Sequence, residues 1–186
     1  MKIKEALIYF SLMMFLITAC KPSVGHSEEK DFYNYDIEAR IDSLGITLSD
    51  PKTPVANYVH IVQTGNLLFL AGKGPKDING KNIVGKLGKN LEIEEGYLAA
   101  RRIGIAQLSV LKSHLGDLNK VKQVVKVLGM VNSTDDYTQH SKVINGFSDL
   151  MVDVFGERGK HARAAVGMNS LPGGICAEIE MIVEVE

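Results

Sequence analysis

The residues able to carry chemistry are few and widely spaced. There are two cysteines, Cys20 and Cys176, and five histidines in 186 residues. With Cys20 lipidated, Cys176 has no intrachain partner, which excludes a disulfide framework and a metal site built on cysteines. His60, His114, His140 and His161 show no metal-ligand spacing with carboxylates, so no metal is expected and each reads as a surface or packing residue. His161 stands two positions before Arg163 and is the one histidine placed to influence it. The run Gly72-Lys73-Gly74-Pro75 is glycine-rich, but it is too short for a phosphate-binding loop and lacks the Ser or Thr that follows one. Lys and Arg number 21 against 22 Asp and Glu, for a formal net charge of −1, and no stretch is strongly basic. A nucleic-acid partner therefore has no electrostatic footprint here.

The elements around these residues follow from periodicity. Asp36 to Leu44 predicts a short helix with Ile37, Ile41 and Leu44 on one side, and Pro51 and Pro54 end regular structure after it. Tyr58–Gln63 and Leu67–Ala71 are apolar runs separated by Thr64-Gly65-Asn66, a hairpin pattern. The glycines from Gly72 to Gly88 predict a loop with room for a short strand at Ile83-Val84. Asn90 is placed to cap a helix whose stripe is Tyr97, Ala100, Gly104, Leu108, Leu111 and Leu115, with Gly116 beyond its end. Val121–Val131 reads as a long strand. Ser133, with Asp136 three positions on, predicts the cap of a second helix with Val143, Phe147, Leu150 and Val154 inward, ended by Gly156. Arg163–Met168 and Ile175–Val185 complete the strands, with Gly173-Gly174 turning between them.

In the last strand Ala177, Ile179, Met181, Val183 and Val185 alternate with Glu178, Glu180 and Glu184. One face packs and the other is polar. The whole predicts an α+β fold, a single mixed sheet with two helices on one face. The uncovered face, with Val124, Leu128 and Met130 or their neighbours exposed, predicts oligomerisation.

The first residues read as a targeting segment. Lys2 and Lys4 precede the uncharged run Ala6–Ala19, about fourteen residues and too short for the roughly 20 that span a bilayer. It ends in Leu16-Ile17-Thr18-Ala19-Cys20, which resembles the lipobox of bacterial lipoproteins. That resemblance implies a signal peptide over residues 1–19, lipidation of Cys20, a polar tether over 20–34 and a domain over 35–186. A plain secreted protein cut nearby, or an uncleaved anchor, is the other reading. Lys21 rather than Asp follows the cysteine, and by resemblance to enterobacterial lipoprotein sorting that implies the outer membrane, facing the periplasm.

Pro54-Val55-Ala56-Asn57-Tyr58-Val59, Thr64 to Gly72, Arg163-Ala164-Ala165-Val166, Leu171-Pro172 and Ala177-Glu178-Ile179-Glu180 together resemble the RidA (YjgF/UK114) family, in order and spacing. The match runs from about Tyr35 to Glu186. It implies a chorismate-mutase-like fold, a homotrimer with sites between subunits, and no cofactor. It also implies hydrolysis of 2-imino acids to 2-keto acids and ammonia. By that resemblance Arg163 grips the substrate carboxylate and Glu178 positions or activates water. Tyr58, Gly72 and Asn145 fall at substrate-binding positions, and the small partner is a 2-imino or 2-keto acid.

Two departures bear on catalysis: Ala71 stands where members commonly have Ser, and Ala165 where many have Cys. Two function classes follow, an imine deaminase outside the cytoplasm and a non-catalytic module that holds small carboxylates or a partner protein. Arg163 could also be an ion-pair partner at a subunit seam, and Glu178 could simply solvate the sheet face beside Glu180.

Overall fold

A computed structural model describes residues 32–186. The expected signal segment, Cys20 and the tether as far as residue 31 lie outside them. Helix α1 (Ile37–Ser43) starts where the Asp36 side chain accepts from the Ala39 N–H at 2.7 Å, and it buries Ile37 and Ile41. Strands β1 (Ile61–Thr64) and β2 (Leu67–Lys73) form the expected hairpin. Then come α2 (Ile93–Leu115), β3 (Val121–Asn132), α3 (His140–Phe155), β4 (Ala162–Met168) and β5 (Ala177–Val185).

The five strands make one sheet in the order β1-β2-β5-β3-β4, antiparallel except for the parallel β3–β4 pair. The fold is thus the expected α+β layer. Helices α2 and α3 bring Ala100, Leu108, Leu111, Val143, Phe147, Leu150 and Val154 into the core, over Val127, Val131, Ile179 and Val183 of the sheet. Their close approach depends on Gly146, where a side-chain carbon would overlap the Tyr97 carbonyl of α2.

Several local expectations are corrected. Helix α2 begins after Glu92, whose N–H donates to Glu95 Oε2 at 2.9 Å. Asn90 instead closes the preceding turn, accepting from the Lys86 N–H at 2.7 Å. Ser133 does not cap α3. Its N–H donates to Met168 O and that of Thr134 to Leu87 O, so the chain continues along the sheet before the helix begins at His140. Ile83-Val84 forms one bridge, Val84 to Ile175, and no strand. Val124 is buried, because register shifts on either side of it turn β3; Val125 takes the exposed place.

The uncovered sheet face is ordered in rows. Pairing aligns Val62, Phe69, Ile182, Lys126 and Ala162. A second row is Glu180, Leu128 and Ala164, and a third is Glu178, Met130 and Val166. Val62 and Phe69 are among the exposed apolar residues.

The chain ahead of α1 is strapped to the fold. The Tyr33 hydroxyl donates to Val121 O at 2.7 Å and that of Tyr35 to Val154 O at 3.1 Å. Arg158 Nε donates to Phe32 O at 2.9 Å and its Nη1 to Lys122 O at 3.0 Å, with the guanidinium 5.3 Å from the Phe32 ring centre.

Candidate functional site

The site residues expected from sequence fall into two groups, each built by different elements. The first is at the β4 edge. Arg163 pairs across the ladder with buried Val127, so its side chain leaves the sheet on the helix side. There Nη1 donates to Asn145 Oδ1 at 2.9 Å and to Ser148 Oγ at 3.0 Å, both on α3. The packing of α3 fixes those partners: Gly146 abuts α2, Ile144 covers Gly129 of β3, and Asn145 and Ser148 are left toward β4.

This geometry determines which donors Arg163 can offer. A guanidinium has five N–H groups, two on each Nη and one on Nε. Both hydrogens of Nη1 are engaged by Asn145 and Ser148. The Nε–Nη2 edge keeps the parallel pair of donors that fits a planar carboxylate. Among the described residues no carboxylate forms an ion pair with Arg163.

His161 completes the group. Its Nδ1 lies 2.6 Å from Gly159 O, and its Nε2 lies 3.0 Å from Ser148 Oγ. A carbonyl only accepts, so Nδ1 carries the hydrogen. Burial pushes the imidazole below its ordinary value of 6.5, and the Arg163 charge adds to that. The ring is therefore neutral at pH 7, and Nε2 accepts the Ser148 hydroxyl hydrogen.

The second group lies on the uncovered face of β2 and β5. Glu178 alternates with buried Ala177 and Ile179, and it is half-buried against Gly72. A side-chain carbon at position 72 would overlap Glu178 Oε1, so glycine there makes room for the carboxylate. Burial raises the Glu178 carboxyl above the usual glutamate range, and Glu180 raises it further.

Gly72 follows Ala71 at a bulge, where the β2–β5 register shifts between Leu70 and Lys73. Two carbonyls there are satisfied from the helix layer: the buried Gln107 amide donates to Ala71 O and Ile179 O, each at 3.0 Å. Tyr58 does not lie on β1, as the sequence suggested, but in the loop ahead of it, half exposed.

Within one chain the groups do not meet. Two strand spacings separate β5 from β4, roughly 10 Å, and Arg163 lies three residues along β4 from Val166, the residue in Glu178's row, roughly another 10 Å. They also occupy opposite faces of the sheet. Cys176 belongs to neither group: it is buried, and burial pushes its thiol up to about 11, so it is inert packing. Sequence reasoning passed over Ser148 and Gln107. The available signal for Ser148 was its place three residues after Asn145, on the same helix face.

Comparison with known proteins agrees with this architecture. The pattern of the family described as "YjgF/chorismate_mutase-like, putative endoribonuclease" matches residues 38–181. The chain belongs to the YjgF family. A relative, Protein TCP17 of Trypanosoma cruzi, is 42% identical over 149 residues, 80% of this chain and 93% of that protein. A solved structure from Agrobacterium tumefaciens, of a protein of unknown function, is 40% identical with a TM-score of 0.74, covering 81% of this chain and 94% of its own. Another, of a protein described as a putative endoribonuclease from Shewanella oneidensis, is 28% identical with a TM-score of 0.77, covering 81% of this chain and 100% of its own.

Proposed function

We propose that this YjgF-family protein binds small 2-imino and 2-keto acids and hydrolyses the imino acids to keto acids and ammonia. The observation that carries the reading is Arg163, whose Nη1 is held by Asn145 and Ser148 while its Nε–Nη2 edge stays open for a carboxylate. Charge-assisted pairing of that kind contributes roughly 1.5–3 kcal/mol per bond.

The rest of the site comes from a second copy. The row of exposed Val62 and Phe69 with half-buried Ile182 is apolar surface suited to burial between copies, and a homotrimer would set the Gly72–Glu178 face of one copy against the Arg163 edge of the next. With the carboxylate on Arg163, water adds to the electrophilic imine carbon. Glu178 accepts the water proton, and its raised affinity for a proton suits that role near neutral pH. The nitrogen takes that proton from Glu178 to give a carbinolamine, whose hydroxyl proton passes to the amine as the C–N bond breaks, releasing ammonia and the keto acid. Tyr58 and Asn145 border the substrate.

The short apolar run ending in Thr18-Ala19-Cys20 supports a lipid anchor at Cys20 and action at the periplasmic side of the outer membrane. One observation favours the alternative, a non-catalytic carboxylate-binding module: Ala71 supplies no hydroxyl beside Glu178, and its carbonyl is tied to Gln107. The nuclease activity named in the family description has little support in a chain of net charge −1 whose uncovered β5 face carries Glu178, Glu180 and Glu184.

A deaminase assay on freshly generated 2-iminobutanoate decides between the readings. Keto-acid release well above the spontaneous rate, abolished in Arg163→Ala, is expected. Release no faster than in buffer, with 2-oxobutanoate still bound, would leave the binding module.

A further inference from the structure

A serine inside a helix ordinarily turns its hydroxyl back onto the carbonyl one turn earlier. Ser109 of α2 does so, donating to Ile105 O at 3.0 Å. Ser148 of α3 does not follow it. Its Oγ lies between His161 Nε2 at 3.0 Å and Arg163 Nη1 at 3.0 Å. The hydrogen-bond directions in this chain are fixed from one end. Gly159 O requires the hydrogen on His161 Nδ1, Nε2 then accepts from Ser148, and the lone pairs of Oγ are left for Arg163.

We propose that Ser148 and His161 are positioning residues for Arg163, and that His161 gains a proton when a carboxylate docks on the guanidinium. The proposal rests on the carboxylate-clamp reading given above. Ser148 and Asn145 together occupy Nη1 and so select the edge that Arg163 presents. In the free protein His161 holds the Ser148 hydroxyl hydrogen away from the guanidinium; once protonated, its Nε2 donates to Oγ, whose other lone pair still receives Nη1.

The proton coupling follows from charge. His161 Nε2 and Arg163 Nη1 share one bridging oxygen and are no more than about 6 Å apart, a range over which a like charge disfavours protonation. The other charged groups nearby are already engaged. Lys160 pairs with Glu157 on the preceding turn, and Asp149 of α3 accepts from the Tyr97 hydroxyl. The Phe147 ring lies edge-on to the imidazole at 6.5 Å. Arg163 is thus the charge that His161 senses, and an anion docked on Arg163 neutralises it. The free imidazole already lies below 6.5. A docked carboxylate raises it, so between the free and bound values binding takes up a proton. Affinity then increases as pH falls through that window. The expected gain in affinity across that window is about threefold to tenfold.

The test uses purified full-length protein labelled at histidine, with 2-oxobutanoate as the probe. Without ligand, NMR titration should place His161 below 6.5, and both Arg163→Gln and Ser148→Ala should raise it. With ligand, the His161 titration should move up. Calorimetry near pH 6 in two buffers of different ionisation enthalpy should show proton uptake that His161→Gln abolishes. Ser148→Ala should weaken binding roughly threefold to tenfold, and Ser148→Thr, which keeps the hydroxyl, should restore it. Binding with no proton uptake and an unmoved His161 would overturn the proposal. If 2-oxobutanoate fails to bind at all, the clamp reading falls. The ligand-free titration still judges the relay: a His161 indifferent to Arg163→Gln and Ser148→Ala sinks it.

Discussion

Arg163 and Glu178 stand on opposite faces of one sheet, with β3 between their strands. No four-carbon keto or imino acid can touch both within a chain. The predicted assembly follows: protein lacking residues 1–19 should sediment as a homotrimer. A stable monomer at micromolar concentration would remove any site that needs both residues.

Arg163→Ala should weaken 2-oxobutanoate binding by about tenfold to 150-fold or more while the protein stays folded. Arg163→Lys should recover little, because an ammonium has no paired edge and cannot meet Asn145, Ser148 and a carboxylate in one plane. Calorimetry beside thermal melts checks both. Unchanged binding in a folded Arg163→Ala protein would end the clamp reading.

Glu178→Gln should keep ligand binding and lose turnover. It also has a signature in stability. A carboxyl whose folded value is raised binds its proton more tightly when folded, so its contribution is full below the unfolded value of 4.5 and is lost as pH rises through the folded value. At pH 7 the glutamine variant should therefore melt above wild type, with the gap closing below about pH 4.5. Melts across pH 4 to 8 supply the measurement.

Gln107→Leu should destabilise the fold by about 1–3 kcal/mol per carbonyl left without a partner, since Ala71 O and Ile179 O share that single amide donor. Urea denaturation reads this directly. A midpoint equal to wild type would mean that water satisfies both carbonyls.

Cys20→Ser should abolish incorporation of a palmitate analogue in cells. Equal labelling of variant and wild type would rule out lipidation at this residue.

The sheet and helices were legible because their periodicities are strong: the alternation of β5 and the α2 and α3 stripes fix which faces pack. Boundaries were less so, for local reasons. Ser133 has the chemistry of a cap, but the backbone bonds Ser133 to Met168 and Thr134 to Leu87 hold it in the sheet, and neither partner is near in sequence. Val124 obeys alternation only if β3 is regular, and bulges carry little signal in residue type. At the site, the link between Arg163 and Asn145 came from family resemblance. Ser148 and Gln107 were invisible because their roles depend on a hydroxyl turned out of its helix and on an amide reaching a bulge in another layer.

The strap at Phe32–Tyr35 has a mechanical consequence. Tension delivered through the residues ahead of Phe32 enters the fold at Arg158, Tyr33 and Tyr35, which grip the start of β3 and the end of α3. Those contacts are side-chain bonds that would be loaded largely one after another, like a peeled seam. They would yield before force reached the interior of β3, flanked by ladders to β5 and β4. Under such a pull the strap would peel before the ladders of β3 shear.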